Sequence, residues 1–309
     1  MFEKILALYD LSDPSKAALE WSIRFGERFH SELKVIHLLI REEGAEMSRR
    51  IRDEIDKTVR TLTARGGEGR LNKLEINVSA GKTVPSLLGI IEKESPDLVV
   101  LGTHGRTGLD YVLLGSVAEK IARHSPSPVL TVRRSSVWPP KTLLVPVDFA
   151  DGGEASEEAL LLATQFCQSI PVRVELVHIL SMPDLVTGFP ESMAGRAPID
   201  QEKMEKFAMG KLGEIIAMHP SLKMFPRVSI GPIADEICRI AKEARADVIL
   251  IPTHGRSALG RLLLGSVAEH VIRYAPCHVL SFCPKKGIGH RRKAIQDLEN
   301  DYIDLGVGD

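Results

Sequence analysis

The 309-residue chain is 44% apolar and 26% charged, with a formal net charge of −1, an ordinary balance for a globular protein of about two domains. Near-neutrality gives no field to hold nucleic acid or an anionic membrane, and no apolar run approaches the ~20 residues that span a bilayer. The opening MFEKILALYDLSD lacks a signal-peptide pattern, so a cytoplasmic location is expected, with Cys167, Cys238, Cys277 and Cys283 as reduced thiols in no CxxC pair.

KILALY is a short apolar run that ends at Asp10 and predicts a first strand. SDPSKAALEWSIRFGERF follows with helical spacing; Ser12 or Asp13 is placed to cap it, with Pro14 in the first turn. LKVIHLL predicts a second strand and the charged stretch from about Glu43 to Ala64 a second helix. Leu74–Ala80 and Val84–Glu94 make a third strand and helix. Asp97–Gly102 is a fourth strand whose unbroken apolar run suits a strand covered on both faces. Ser116–Arg123 opens a fourth helix, and PVLTVR a fifth strand. KTLLVPV, VRVELVHIL, FPRVSI, ADVILIP and HVLSF repeat the strands. Strands alternating with helices argue for parallel α/β sheets, because parallel neighbours need crossover connections.

The repetition is a duplication. Gly81 to about Thr131 aligns without gaps on Gly231 to Ser281, and Thr103–Glu119 against Thr253–Glu269 gives 12 identities in 17 positions. A repeat this long is a whole domain, since solenoid units run to some 20–50 residues. Asp10 corresponds to Asp148 at an offset of 138, whereas Gly81 corresponds to Gly231 at an offset of 150. About twelve extra residues are therefore expected in the second copy, placed in the Pro-, Gly- and Met-rich loop Ser181–Pro198. The boundary falls in Arg133–Lys141, giving domains over 1–135 and 136–284 and a tail over 285–309 that reads as solvated or as a short docking helix. Met204, Met209 and Met218, at helical spacing, read as core filling.

In open α/β sheets ligands bind beyond the carboxyl ends of strands, where strand order reverses. The first strand ends at Asp10 or Asp148; the fourth runs into Gly102 and Gly105, or Pro252 and Gly255. Gly115-Ser116 and Gly265-Ser266 then open a helix, whose free N–H groups and partial positive charge suit phosphate. Glycine permits positive φ and close approach, Ser116 adds a hydroxyl, and Arg106 a forked cation. The reading is a nucleotide with phosphates between the Gly105 loop and the Ser116 helix start, and with Asp10 on a ribose or base edge. Leu109, Leu113 and Leu114 read as packing that anchors the loop, and His104 and His254 as loop hydrogen-bonding residues without a partnering acid.

Gly102-x2-Gly105-x9-Gly115-Ser116 resembles the G-x2-G-x9-G-[S/T] nucleotide signature of the universal stress protein family. Asp10, VIHLL, Gly81 and SPSPVLTV fit the same resemblance, which covers nearly the whole chain twice. It implies a doubly wound five-stranded parallel sheet in order 3-2-1-4-5 in each domain. It also implies pairing of the fifth strands, Val129–Val132 with Val279–Phe282, as an internal pseudo-dimer, alongside a homodimer and a protein partner of unknown kind. Carried onto matching positions, ATP contacts would be Leu8, Asp10, Leu38, Leu101, Gly102, His104, Gly105, Gly115, Ser116 and Val117. The altered second set is Pro146, Asp148, Ile179, His254, Gly255, Arg256, Gly265, Ser266 and Val267. The cofactor that the resemblance implies is ATP, or ADP or AMP, with Mg2+ bound through the phosphates.

There is no Walker loop, no GxGxxG, no metal-ligand spacing and no nucleophile elbow. Binding is thus favoured over catalysis, with slow ATP hydrolysis at most a side activity. The expected function is a nucleotide-binding stress or signalling module that acts by ligand-dependent interaction, the alternative being a scaffold of the same fold that works without nucleotide. Proline at 252 has no N–H and cannot take positive φ, so the two sites are expected to be unequal.

Overall fold

The computed structural model describes residues 2–39, 44–64, 70–81, 83–103, 115–133, 138–149, 154–181, 201–253 and 264–284. The first half runs β1 Lys4–Leu8, α1 Asp13–Phe29, β2 Glu32–Leu39, α2 Ala45–Ala64, β3 Lys73–Ala80, α3 Thr83–Glu94, β4 Leu98–Gly102, α4 Ser116–His124 and β5 Val129–Val132. The second runs β6 Thr142–Pro146, α5 Glu154–Ser169, β7 Arg173–Leu180, α6 Gln201–Met218, β8 Met224–Ile230, α7 Ile233–Glu243, β9 Val248–Pro252, α8 Ser266–Tyr274 and β10 His278–Phe282.

All ten strands form one sheet in the order β3-β2-β1-β4-β5-β10-β9-β6-β7-β8. Each half has the 3-2-1-4-5 order, parallel throughout, and the halves join where β5 meets β10 antiparallel, with Leu130 opposite Leu280. Thr131 and Ser281 reinforce that seam, each hydroxyl donating to a carbonyl of the facing strand. The inner strands β1, β4, β6 and β9 are apolar along most of their length because both faces are covered, whereas the edge strands β3 and β8 are largely exposed or half-buried. Ile5, Ala7, Val35 and Val100 pack in one buried cluster, and Leu6, Leu8, Ile36 and Leu101 in another; both clusters contain residues of both halves.

Alpha1 begins as its sequence directs. The Ser12 hydroxyl accepts the Ser15 N–H at 3.3 Å, Pro14 sits in the first turn, and His30 closes the helix with φ 55°. From Trp21 to Glu27 every residue of α1 is buried, because this helix packs at the joint between halves. The Phe25 ring lies 5.7 Å from that of Phe166 in α5, and Arg28 Nε donates to the Ser169 carbonyl at 2.5 Å. On the opposite face α4 and α8 lie together. Arg273 donates to Glu119 at 2.9 Å and Arg123 to Glu269 at 3.2 Å, the same pair made in both directions.

The extra residues of the second copy are not all in the segment after β7. Five residue steps separate Asp10 from Ser15, whereas eight separate their counterparts Asp148 and Ser156, so three of them fall between β6 and α5. The hydroxyls of Ser15 and Ser156 each accept the N–H of their aspartate, which sets the correspondence. Residues 182–200, where the remainder fall, lie outside the described residues. Among the described residues no helix is long and apolar enough to cross a membrane.

Candidate functional site

Beta1 lies between β2 and β4, and the chain proceeds outward from it in both directions. A crevice opens beyond the carboxyl ends of such a pair because its connections leave on opposite faces. Leu8 pairs in register with Leu101 and Ile36. With partly buried Leu38 and Val117 packed against them, Leu8 and Leu101 make an apolar floor on the α3/α4 side. Ile179, Ile251 and Val267 repeat that floor in the second half, with Pro146 in the place of Leu8.

Beyond the floor, the Gly115 N–H donates to the Thr103 carbonyl at 2.7 Å, and the Gly265 N–H to the Thr253 carbonyl at 2.8 Å. These bonds close the base of each glycine loop and hold the first turn of α4 or α8 at the end of its strand. The first bond of α4 runs from the Glu119 N–H to the Gly115 carbonyl. The N–H groups of Ser116, Val117 and Ala118 therefore stand outside the helical ladder. Gly115 caps the helix with no side-chain bond, so nothing of its own covers those donors. Ser116 and Ser266 are exposed. Both cap glycines have φ near −60°, so the positive-φ argument made from sequence fails for them; absence of a side chain is what they contribute.

Gly102 also departs from its sequence reading. A Cβ at this position would lie 2.7 Å from the Pro14 carbonyl carbon and oxygen and 2.8 Å from the Ser15 nitrogen. Backbone cannot retreat as a side-chain tip does, so glycine is required here by the first turn of α1, whether or not a ligand approaches. In the second half Pro252 stands at the corresponding place, and the link from Asp148 to Ser156 is three residue steps longer. Strand alternation adds a second consequence. The Thr103 N–H points to β5, donating to Val132, so the Gly102 N–H points the other way, to β1, where the Leu8–Leu101 register gives it the Leu8 carbonyl. Pro252 removes the corresponding donor.

Asp10 stands where the sequence places it, but part of its carboxylate is already engaged. Its Oδ1 accepts the Ser12 N–H at 3.0 Å and the Ser12 hydroxyl at 2.5 Å, an Asx turn. Leu11 between them has φ 67°, a costly conformation for a branched side chain. Asp148 follows Val147 in the same manner, and Phe149 next to it stacks on His178 at 3.9 Å. His104, Gly105, Arg106, His254, Gly255 and Arg256, and the loop leucines 109, 113, 114, 259 and 263, lie outside the described residues. Leu264 is buried at 4% exposure against the floor cluster.

Sequence reasoning passed over three residue types that build the site's frame: Ser15 and Ser156, Thr103 and Thr253, and His37 and His178. The signal was present in each case, a polar residue repeated at matching places in the two copies. Among the described residues no cluster of three or more histidine, cysteine or acidic side chains is placed to hold a metal ion.

The family model described as universal stress protein matches residues 1–133 and again 140–282. The chain is 24% identical over 311 aligned residues to the universal stress protein E homolog of Haemophilus influenzae, an alignment covering 92% of this chain and 98% of that protein. A universal stress protein of Methanocaldococcus jannaschii is 28% identical over 143 residues, 43% of this chain and 84% of its own. Among solved structures, a universal stress protein from Archaeoglobus fulgidus has a TM-score of 0.63 at 20% identity, covering 91% of this chain and 98% of its own. A functionally unknown protein from Pseudomonas aeruginosa has a TM-score of 0.69 at 17% identity, covering 96% and 98%. At these identities the solved structures speak to the fold alone.

Proposed function

The chain belongs to the universal stress protein family, and from that premise we propose that its first half binds an adenine nucleotide and that the second binds it more weakly or differently. The observation that carries this reading is the start of α4. Three N–H groups outside the helical ladder face the switch point under a cap residue without a side chain, held there by the Gly115–Thr103 bond. Helix N-termini of this kind favour phosphate through directed donors and the helix dipole.

In this reading Ser116, Val117 and Ala118 hold phosphate through their N–H groups, and the Ser116 hydroxyl adds a donor. Leu8, Leu38, Leu101 and Val117 lie under the base, and Gly102 lies beside them at the end of β4. Asp10 receives a ribose or base edge. Gly105, His104 and Arg106 act from the loop. Mg2+ would enter through phosphate oxygens, consistent with a donor set made of N–H and hydroxyl groups and offering no built cation cage. The second site keeps Asp148, Ile179, His254, Gly255, Arg256, Gly265, Ser266 and Val267, with Pro146 and Pro252 in place of Leu8 and Gly102. The activity is ligand-dependent interaction in a stress or signalling role, with ATP hydrolysis at most slow. The two halves act as a built-in pair in a cytoplasmic protein.

The test is native purification with mass spectrometry of released nucleotide, followed by thermal shifts with Mg-ATP, ADP and AMP. Ligand at a hundred times its dissociation constant should stabilise by about 2.7 kcal/mol. Gly115→Asp separates ligand loss from unfolding. Aspartate is a good N-cap, so the unliganded protein should hold its stability, while its carboxylate occupies the donors and repels phosphate. The expected result is an intact protein that has lost the first-half shift. No released nucleotide and no shift at millimolar Mg-ATP would favour the nucleotide-free scaffold instead.

A further inference from the structure

Each half holds one buried histidine at an equivalent place in its second strand, His37 in β2 and His178 in β7, both 3% exposed. His37 Nδ1 lies 2.8 Å from the Tyr9 carbonyl oxygen, and His178 Nδ1 lies 2.9 Å from that of Val147. Tyr9 and Val147 are the last residues before Asp10 and Asp148. Their N–H groups donate to the Ile36 and Val177 carbonyls at 2.9 and 2.8 Å. Register makes the histidine the direct partner of that residue: Leu8 faces Ile36 and Pro146 faces Val177, so the next pair is Tyr9 with His37 and Val147 with His178.

In a continuing parallel ladder the Tyr9 carbonyl would take the Leu38 N–H and the Val147 carbonyl the Ile179 N–H. The imidazole takes that carbonyl instead. The ladder of β1 with β2 ends at Leu8, while β2 runs on beside β3 to Leu39 and Ala80. The carbonyl stays satisfied in a buried place, where an orphan would be costly, and the chain is free to leave the sheet. It leaves one residue before each aspartate. On the far side of that aspartate, Ser15 or Ser156 takes its N–H, so the peptide bearing the aspartate is held at both ends.

We infer that His37 and His178 are positioning residues for the two ligand crevices, each setting its aspartate through a hydrogen bond to the preceding carbonyl. The inference rests on the nucleotide reading of those crevices. Because a carbonyl only accepts, both imidazoles carry their proton on Nδ1. The third buried histidine with a defined bond provides an internal reference. His278 Nδ1 accepts the Arg133 N–H at 2.9 Å, and burial together with the Arg133 charge lowers its pKa to about 4. His278 is therefore neutral with its proton on Nε2.

The experiment combines long-range proton–nitrogen NMR on the full chain with Mg-ATP titration of variants. His37 and His178 should show the Nδ1–H tautomer and His278 the Nε2–H tautomer; an Nε2–H tautomer at His37 overturns the inference. His37→Leu should weaken first-half affinity about tenfold, the scale of one lost positioning bond. His37→Asn, whose amide nitrogen takes the place of Nδ1, should stay within about threefold of wild type. His37→Gln, which carries its amide at the Nε2 place, should behave as Leu does and serves if the Leu variant does not fold. His178→Leu should leave the first site unchanged. A folded His37→Leu protein that binds as wild type overturns the inference, as does an Asn variant as weak as Leu, which would mean a packing role. Wild type that binds no nucleotide overturns the functional reading itself, a result distinct from wild type that binds and variants that do not differ.

Discussion

The two crevices share a helix start, a histidine bond and a floor that differs by Pro146 in place of Leu8, and they differ again at the end of the strand beside the switch point. The first half has Gly102 there and the second Pro252. In the first half β1 and β4 pair over four registered positions, whereas β6 and β9 pair over two. The link from Asp148 to Ser156 is three residue steps longer than that from Asp10 to Ser15. In the first half the glycine goes with a short link, since the first turn of α1 rests where a Cβ at 102 would be. The second half has neither the glycine nor the short link. A motif glycine can thus be demanded by packing, whatever a ligand adds.

The sharpest break of that comparison is Gly102→Ala. It should cost about 3 kcal/mol by forcing backbone apart, read as a lower urea midpoint, whereas Pro252→Gly should stay within about 1 kcal/mol. Equal effects would show that link length does not separate the halves. Next, Pro252→Gly takes the pyrrolidine ring away from the second crevice and lets the β6–β9 ladder extend as in the first half, and should tighten Mg-ATP binding there about tenfold. Unchanged affinity would assign the inequality of the sites to the floor or the longer link.

A third difference lies at the opposite end of the sheet. Glu94 accepts hydrogen bonds from Lys4 and Lys34 at 2.6 and 2.9 Å, and these hold its pKa at about 2. Ala244 stands at the matching place in the second half. A lowered carboxylate pKa means stability present above the unfolded value near 4.5 and lost as pH falls toward 2. With partial exposure and solvent screening, Glu94→Gln should cost about 1 kcal/mol at neutral pH, and the difference from wild type should vanish over that acid range. A difference that persists at pH 2 would assign the loss to packing. The smallest effect belongs to what the halves share. Glu119→Ala and Glu269→Ala should each cost about 0.5 kcal/mol and by the same amount, because each carboxylate meets the arginine of the other half. Unequal losses in thermal unfolding would show that the joint is not symmetric.

Much of this was legible in the residues. The apolar runs, the cap at Ser12 with Pro14, and the duplication at Thr103–Glu119 each predicted what they form, because helix spacing, capping and repetition are local properties. Cap glycines 115 and 265 open their helices as expected, and of the two reasons given for them positive φ does not apply, since their φ is ordinary, which leaves close approach. Nothing near Gly102 in sequence announces Pro14. Residues 37 and 178 read as unremarkable strand positions because their partner carbonyls are 28 and 31 residues away.

By itself the sequence determined two α/β domains, parallel strands buried on both faces, and a helix start suited to an anion, because periodicity, composition and repetition encode which elements form and which faces they bury. Only the tertiary structure decided why Gly102 is glycine, where the second copy spends its first extra residues, and what makes each first strand leave the sheet before its aspartate. The first and the last follow from distances of under 3 Å between residues remote in the chain, and such distances exist only once the sheet is assembled.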